Sequence, residues 1–365
     1  MPKLIAEDVD EPTFRKMVKL KDQQGYTSKP WGEWFQSLFK EMYLNDSSEE
    51  MIQKSTRENL LKTWCENFGE NLSSIKQGDT IAALVPEEAK KDPFCVLGPA
   101  LVVGRGPSIF RNKHLELLAE KGFKGTVIAT DGALLECLRR GVVPQYVVSV
   151  DGNREKIVQW YDDPLVDRHG SRITAILCCM VAHNVVERIE KAGMPYCFFN
   201  PQFDDWRKND SFTRIQMLMT ATERHPNGCP NVGCGGNAGT TAWVFAWALL
   251  RRSPVGLIGI DMGYYADTPL EETAYYRQLM AGTKGDAGLV SQAYSKMFNP
   301  YFNVEVMIDP VFKQYRASWL RLLKETPPMI RTVNCSEGGC FFTDDRSVPL
   351  EYMKLSEFLD GCVEG

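Results

Sequence analysis

Three aspartates stand directly after short apolar runs: Asp131 after Thr130, Asp151 after Val150 and Asp261 after Ile260. If those runs are strands of an open parallel sheet, the carboxylates line the crevice at its carboxyl end. There they can hold Mg²⁺, bind ribose hydroxyls or act as bases. Asp131 has a second reading as a helix cap, because Gly132-Ala133-Leu134-Leu135 begins a helical pattern. Gly104-Arg105-Gly106-Pro107-Ser108 links another apolar run to a helix. Glycines let the backbone turn tightly and approach a ligand, the helix start offers free N–H groups to an anion, and Arg105 can add a bidentate phosphate contact. No Gly-Lys-Ser/Thr follows, so this is a truncated dinucleotide fingerprint and not a P-loop. The plain alternative is a tight turn that binds nothing.

A second cradle of the same kind is written in Gly233 to Thr241, where Gly236, Asn237 and Thr240 precede the apolar stretch to Leu250. Asn334-Cys335-Ser336-Glu337-Gly338-Gly339 places polar groups and a glycine pair after a strand, as a substrate-contacting loop or a simple turn. Of the four histidines, His114 falls on a helix surface, whereas His183 and His225 are candidate bases. A lone histidine is more often structural.

These residues need elements to position them. From Phe94 onward, short Val/Ile/Leu runs alternate with amphipathic stretches near 111–121, 132–140, 182–192 and 237–251. Continuous apolar runs with helices between them predict a mostly parallel, doubly wound α/β sheet of Rossmann-like type. The 365 residues amount to roughly two domains plus extensions. The reading divides them into a helical N-terminal region (1–92), a Rossmann-like nucleotide-binding core (93–289) and a C-terminal α/β segment that completes the site (290–365). In the first part, Trp34, Phe35, Leu38, Phe39 and Met42 recur at helical spacing, and Leu60, Leu61 and Trp64 share a face of a second helix.

A composition of 44% hydrophobic and 24% charged residues excludes disordered, collagenous and coiled-coil chains. The net charge of -5 argues against a basic face for a nucleic-acid duplex, though not against one anionic ligand. The longest apolar run, Ala238 to Leu250, is about 13 residues against the roughly 20 a membrane span needs. Met1 to Asp8 has no basic region followed by an apolar one, so the expected location is cytoplasmic. Most of the eleven cysteines are then read as reduced, buried small hydrophobes.

The ordered strings Val103-Gly104-Arg105-Gly106-Pro107-Ser108, Ala129-Thr130-Asp131-Gly132-Ala133 and Gly141 to Gly152 resemble the 6-hydroxymethylpterin diphosphokinase MptE-like family, which includes the motility-associated factor (Maf) glycosyltransferases. The Gly235-Gly236-Asn237-Ala238-Gly239 helix start, Leu257 to Tyr264 and Val333 to Gly339 look closer to the Maf branch. The resemblance runs over roughly 95–265 plus the 330–340 motif. It implies a Rossmann-like core that binds a nucleotide-activated donor. The pterin branch implies diphosphate transfer from ATP, with Mg²⁺, to a hydroxymethyl-dihydropterin. The Maf branch implies transfer of a nonulosonic sugar from its CMP-activated form to a protein Ser or Thr. The pterin branch carries Thr-Asp-Leu-Asp-Gly where this chain reads Ser149-Val150-Asp151-Gly152 after Val148, and the loss of one carboxylate tilts the reading toward glycosyl transfer.

On that reading Gly104, Arg105, Gly106 and Ser108 hold the donor phosphate. Asp131 and Asp151 position the ribose or a metal, with Asp151 as the metal ligand if Mg²⁺ takes part, and Asp261 also contributes to donor binding. Gly236, Asn237 and Thr240 close over the donor, and Glu337 or His183 is the base for an acceptor hydroxyl. The partners are a nucleotide-activated small molecule, CMP-sugar in preference to ATP, and a protein or pterin acceptor. Self-association into a homo-oligomer is left open. A non-catalytic nucleotide-binding module is the remaining alternative.

Overall fold

Side chains that are apolar at every position, not at alternate ones, suit strands covered on both faces. In the computed structural model, which describes residues 47–202, 204–208 and 211–362 with side chains from Leu60 onward, such runs build one sheet. Its strands are β1 (Asp79–Thr80), β2 (Ala100–Val103), β3 (Thr126–Thr130), β4 (Tyr146–Ser149), β5 (Thr174–Cys178), β6 (Tyr196–Pro201), β7 (Asn231–Val232) and β8 (Val255–Ile258). After a small antiparallel sheet of β9 (Tyr264–Tyr265), β10 (Ser295–Asn299) and β11 (Val304–Ile308), the main sheet resumes with β12 (Thr332–Asn334) and β13 (Leu350–Tyr352). The main order is β1-β6-β5-β4-β3-β2-β8-β12-β13, with β7 beside the far end of β6, and every pairing is parallel.

Each central strand feeds two layers, because successive side chains leave opposite faces of a pleated sheet. In β2 all four residues are buried. Leu101 and Val103 pack with Leu115, Leu118, Leu355 and Phe358, while Ala100 and Val102 join the layer of Trp243, Phe245 and Trp319. Each such buried aliphatic side chain contributes about 1.5–3 kcal/mol, so the strand pattern itself secures the doubly wound α/β fold.

The chain divides into two units, Met1–Arg57 and Glu58–Gly365, and the elements above belong to the second. The expected stripe from Trp34 to Met42 lies outside the described residues. The second predicted helix is longer than expected, Ser47–Gln77, and its buried face differs from the one anticipated. Leu60 and Leu61 are exposed; Phe68 and Ile75 are buried, with Trp64 and Leu72 packed beside them. That spacing of three and four keeps one stripe against the sheet. Among the described residues no helix is long and apolar enough to cross a membrane, and eight of the eleven cysteines are buried.

The chain leaves β2 toward β3, β4, β5 and β6, then returns past β2 to β8. This reversal of direction between β2 and β8 is the switch point at which open α/β sheets form their crevice.

Candidate functional site

At the switch point the glycine-rich turn meets the loop after β8. Gly104 N–H donates to Ile258 O and Gly106 N–H to Gly259 O, both at 2.8 Å. Ser108 N–H donates to Asp261 Oδ2 at 2.7 Å. The two glycines are needed for this approach: a Cβ on Gly104 would stand 2.4 Å from Gly259 O, and one on Gly106 would stand 2.4 Å from Asp261 Oδ2. Gly104, Gly106, Ser108 and Asp261 therefore come together as expected, but the amides assigned to phosphate already have acceptors within the chain. Asp261 takes the place of the anion. It is buried, and burial pushes its carboxyl up to about 6 against the opposing effects of Ser108 and His114.

The loop after β12 closes the same side. Cys340 N–H donates to Asp261 O at 2.6 Å, and a Cβ on Gly339 would stand 2.5 Å from that oxygen. Glu337 Oε1 accepts from Leu355 N–H at 3.0 Å, at the start of helix Leu355–Gly361, and lies 3.3 Å from His114 Nε2. Burial would raise the Glu337 carboxyl, yet His114 and the Leu355 amide hold it below its ordinary value. A general base working near neutral pH needs the opposite shift. Glu337 thus acts as a helix cap joined to a histidine, and His114 is a core residue, 1% exposed, not the surface residue expected from its helix.

The ends of β3 and β4 are arranged differently. Asp131 opens helix Asp131–Arg139; its Oδ1 accepts Gly132 N–H at 2.7 Å and its Oδ2 accepts the Ser149 hydroxyl at 3.0 Å. Tyr161 OH lies 2.8 Å from the same hydroxyl. Because Ser149 donates to the carboxylate, Tyr161 donates to Ser149. Burial pushes the Asp131 carboxyl up to about 7; the Asp151 charge adds to the rise, and Lys156 opposes it. Asp151 is exposed, with its Oδ1 accepting Asn153 N–H at 3.0 Å in a tight turn. The half-exposed Arg105 and the Trp160 ring both lie beside Gly132, where a Cβ would stand 3.5 Å from Arg105 Cδ and 3.6 Å from Trp160 Cζ2, and the Arg105 guanidinium lies 3.6 Å from Glu136 Oε1. Lys156 stands 5.8 Å over the Trp160 ring. Two cations, an aromatic ring, a neutralisable acid and an exposed carboxylate therefore share one stretch of the crevice.

The second glycine cradle folds on itself. Asn237 Oδ1 accepts Thr240 N–H and Asn237 Nδ2 donates to Thr240 Oγ1, both at 2.9 Å, capping helix Ala238–Val244. Thr240 is fully buried. Gly236, with φ of 89°, admits the ring of Tyr315 from helix Pro310–Lys324; a Cβ there would stand 2.9 Å from that ring. Burial raises the Tyr315 hydroxyl above its ordinary value, and the Asp151 charge adds to the rise.

His183 begins helix His183–Lys191 beyond β5 and is one-third exposed. Its Nδ1 lies 2.8 Å from Asn71 Oδ1 on helix Ser47–Gln77. Asn184 Nδ2 donates to Arg154 O at 2.9 Å, tying this helix start to the loop that carries Asp151. His225, in contrast, closes the turn from Thr222 to Gly228.

The crevice thus unites Arg105, Asp131, Asp151 and, one strand further on, His183. Glu337, Asp261, Asn237 and Thr240 are held in structural bonds. Mg²⁺ usually takes one or two carboxylates and completes its shell with substrate phosphates and water. The exposed Asp151 suits that mode, whereas Asp131 is buried with both oxygens bonded, and among the described residues no three metal-ligating side chains gather into a closed cage. Sequence reasoning passed over Lys156, Trp160, Tyr315, Asn67 and Asn71. The last two carried a signal: polar side chains at 67 and 71 interrupt the apolar stripe of Trp64, Phe68, Leu72 and Ile75.

No curated protein matches the chain. Among solved structures, the Maf glycosyltransferase from Magnetospirillum magneticum AMB-1 superposes with a TM-score of 0.53 at 13% identity, over 80% of this chain and 38% of that one. That likeness is one of fold, and the chain spans well under half of its neighbour's length. A family model described as 6-hydroxymethylpterin diphosphokinase MptE-like matches residues 66–267, over half of the sequence and all of the crevice from Asn67 to Asp261. The chain belongs to the 6-hydroxymethylpterin diphosphokinase MptE-like family.

Proposed function

We propose that the protein is a transferase that binds a nucleotide-activated donor across the ends of β2 to β5, with a CMP-activated nonulosonic sugar as the favoured donor. The observation that carries this reading is the grouping of Arg105, Lys156 and Trp160 around Asp131 and Asp151. The cations face the donor's phosphate, the ring offers a stacking surface, and Asp151 binds ribose hydroxyls or a phosphate-borne Mg²⁺. His183 takes the proton from the acceptor hydroxyl. The proposed phosphate site moves away from the Gly104–Ser108 amides, since these are already bonded within the chain.

The family description favours a second reading, diphosphate transfer from ATP to a hydroxymethyl-dihydropterin. Ser149 weighs against it. The residue that stands where the pterin branch has a carboxylate is here a donor to Asp131, which leaves one exposed acid in place of two. Titration calorimetry with CMP and with ATP–Mg²⁺, on the wild type and on Asp151→Ala, tests both. CMP binding that weakens at least tenfold in the variant is expected, a loss of about 1.4 kcal/mol. AMP release that depends on the dihydropterin decides for the second reading, and a folded wild type that binds neither nucleotide removes both.

A further inference from the structure

Helix Ser47–Gln77 places two asparagines one turn apart, Asn67 and Asn71, and both are fully buried. A buried amide is costly unless its groups are bonded, so their partners are informative. Asn67 Nδ2 donates to Gly152 O at 2.9 Å and to Met180 O at 3.0 Å. Asn71 Nδ2 donates to Val181 O at 2.7 Å and to Cys179 O at 3.3 Å. Each amide therefore straps a loop that leaves the carboxyl end of the sheet: Asn67 joins the loops after β4 and β5, and Asn71 holds the second of them. The fit is close, for a Cβ on Gly152 would stand 2.8 Å from Asn67 Nδ2.

The orientation of the Asn71 amide follows from its partners. Carbonyl oxygens only accept, so the nitrogen faces Cys179 and Val181 and the oxygen faces His183 Nδ1. An amide oxygen also only accepts, so Nδ1 of His183 carries the hydrogen. In the neutral ring the lone pair then lies on Nε2, which stands 3.9 Å from Glu187 Oε1 one turn along the same helix.

We infer that Asn67 and Asn71 are positioning residues for the crevice: Asn67 fixes the loop that bears Asp151, and Asn71 fixes His183 in the Nδ1–H form, with the lone pair on Nε2. The inference rests on the proposed reading of Asp151 and His183 as site residues. Neither asparagine touches the donor. They act through the backbone of two loops and the tautomer of one ring, and they place part of the site's rigidity in a helix outside the doubly wound core.

Nitrogen NMR of the full chain labelled at histidine, at alkaline pH where the rings are neutral, tests it, with His183→Gln used to assign the signal. The expected result is an Nδ1–H ring for His183 in the wild type and its loss in Asn71→Ala. An Nε2–H ring in the wild type overturns the role of Asn71, and this outcome does not depend on Asn71→Ala folding. For Asn67→Ala, amide exchange of Asn153 to Lys156 should quicken about tenfold while the β2 and β3 amides keep their protection. Unchanged exchange in that loop overturns the role of Asn67. Calorimetry with CMP separates the two levels. An Nδ1–H ring in a protein that binds no nucleotide upholds the positioning and removes the transferase reading, whereas an Nε2–H ring in a protein that binds CMP does the reverse.

Discussion

The two sides of the crevice use the same residue types for opposite ends. Between β2 and β8, glycines, a buried aspartate and a helix start close on one another: Gly104 and Gly106 give up their amides to the chain, and Asp261 accepts from Ser108. At the ends of β3 and β4, an aspartate at a helix start is joined by exposed partners, and Asp151, Arg105 and Lys156 keep their charges toward water. A glycine-rich turn and a strand-end aspartate indicate that something approaches the backbone closely. They do not say whether it is a ligand or another loop.

The sharpest way to break the contrast is Gly104→Ala. On the sealed side the added methyl meets Gly259 O, so the folded state should lose about 3 kcal/mol, read from the denaturation midpoint. A variant of wild-type stability with weaker nucleotide binding would return the turn to its role as a phosphate cradle.

Asp131→Asn probes the open side through pH. The Asp131 carboxyl is raised from 3.8 to about 7, so between these values the folded state holds the proton more firmly than the unfolded one. Its contribution to stability is complete below that window and is lost as pH rises through about 7. The amide cannot ionise, so the variant should gain about 2 kcal/mol over the wild type on going from pH 5 to 8, measured by thermal unfolding at both. A constant difference would mean that Asp131 does not titrate in this range.

Arg105→Ala should weaken CMP or ATP binding about fivefold, roughly 1 kcal/mol, and leave the denaturation midpoint in place, because the side chain is half exposed. Glu337→Gln should have the smallest effect, about 0.5 kcal/mol at neutral pH, since the amide oxygen can still accept from Leu355 and His114. The Glu337 carboxyl lies below its ordinary value, so its stabilisation is present above that value and lost as pH falls through the folded one. The variant should therefore show a flatter acid limb, and a large loss of turnover at neutral pH would reinstate Glu337 as a base.

The fold was largely legible because it rests on runs of apolar residues with helices between them, and helices Asp131–Arg139 and His183–Lys191 stand where the pattern put them. The site was legible only in part. Asp131 and Asp151 were found because strand ends of a parallel sheet converge. Which acid is neutralisable depended on burial, and burial is a property of neighbours far away in sequence. Glu337 and His114 could not be paired from sequence, since 223 positions separate them. Leu60, Leu61 and Trp64 were read as sharing one face, yet only Trp64 packs against the core, because a helical stripe has two edges and only the partner surface decides which of them is covered.

The strand order also has a consequence for how the chain is made. β2 pairs with β3 on one edge and with β8 on the other, and the second partner is more than 150 residues further along. During synthesis β3, β4, β5 and β6 can add to β2 one after another as each emerges. The opposite edge of β2 stays unpaired until Val255–Ile258 arrives, and β8 then waits for β12. An open, wholly apolar strand edge is a template for the wrong partner. A strand buried at every position in the finished protein thus keeps one edge open through most of the synthesis of the sheet, and a ribosome that stalls between β6 and β8 leaves that edge bare.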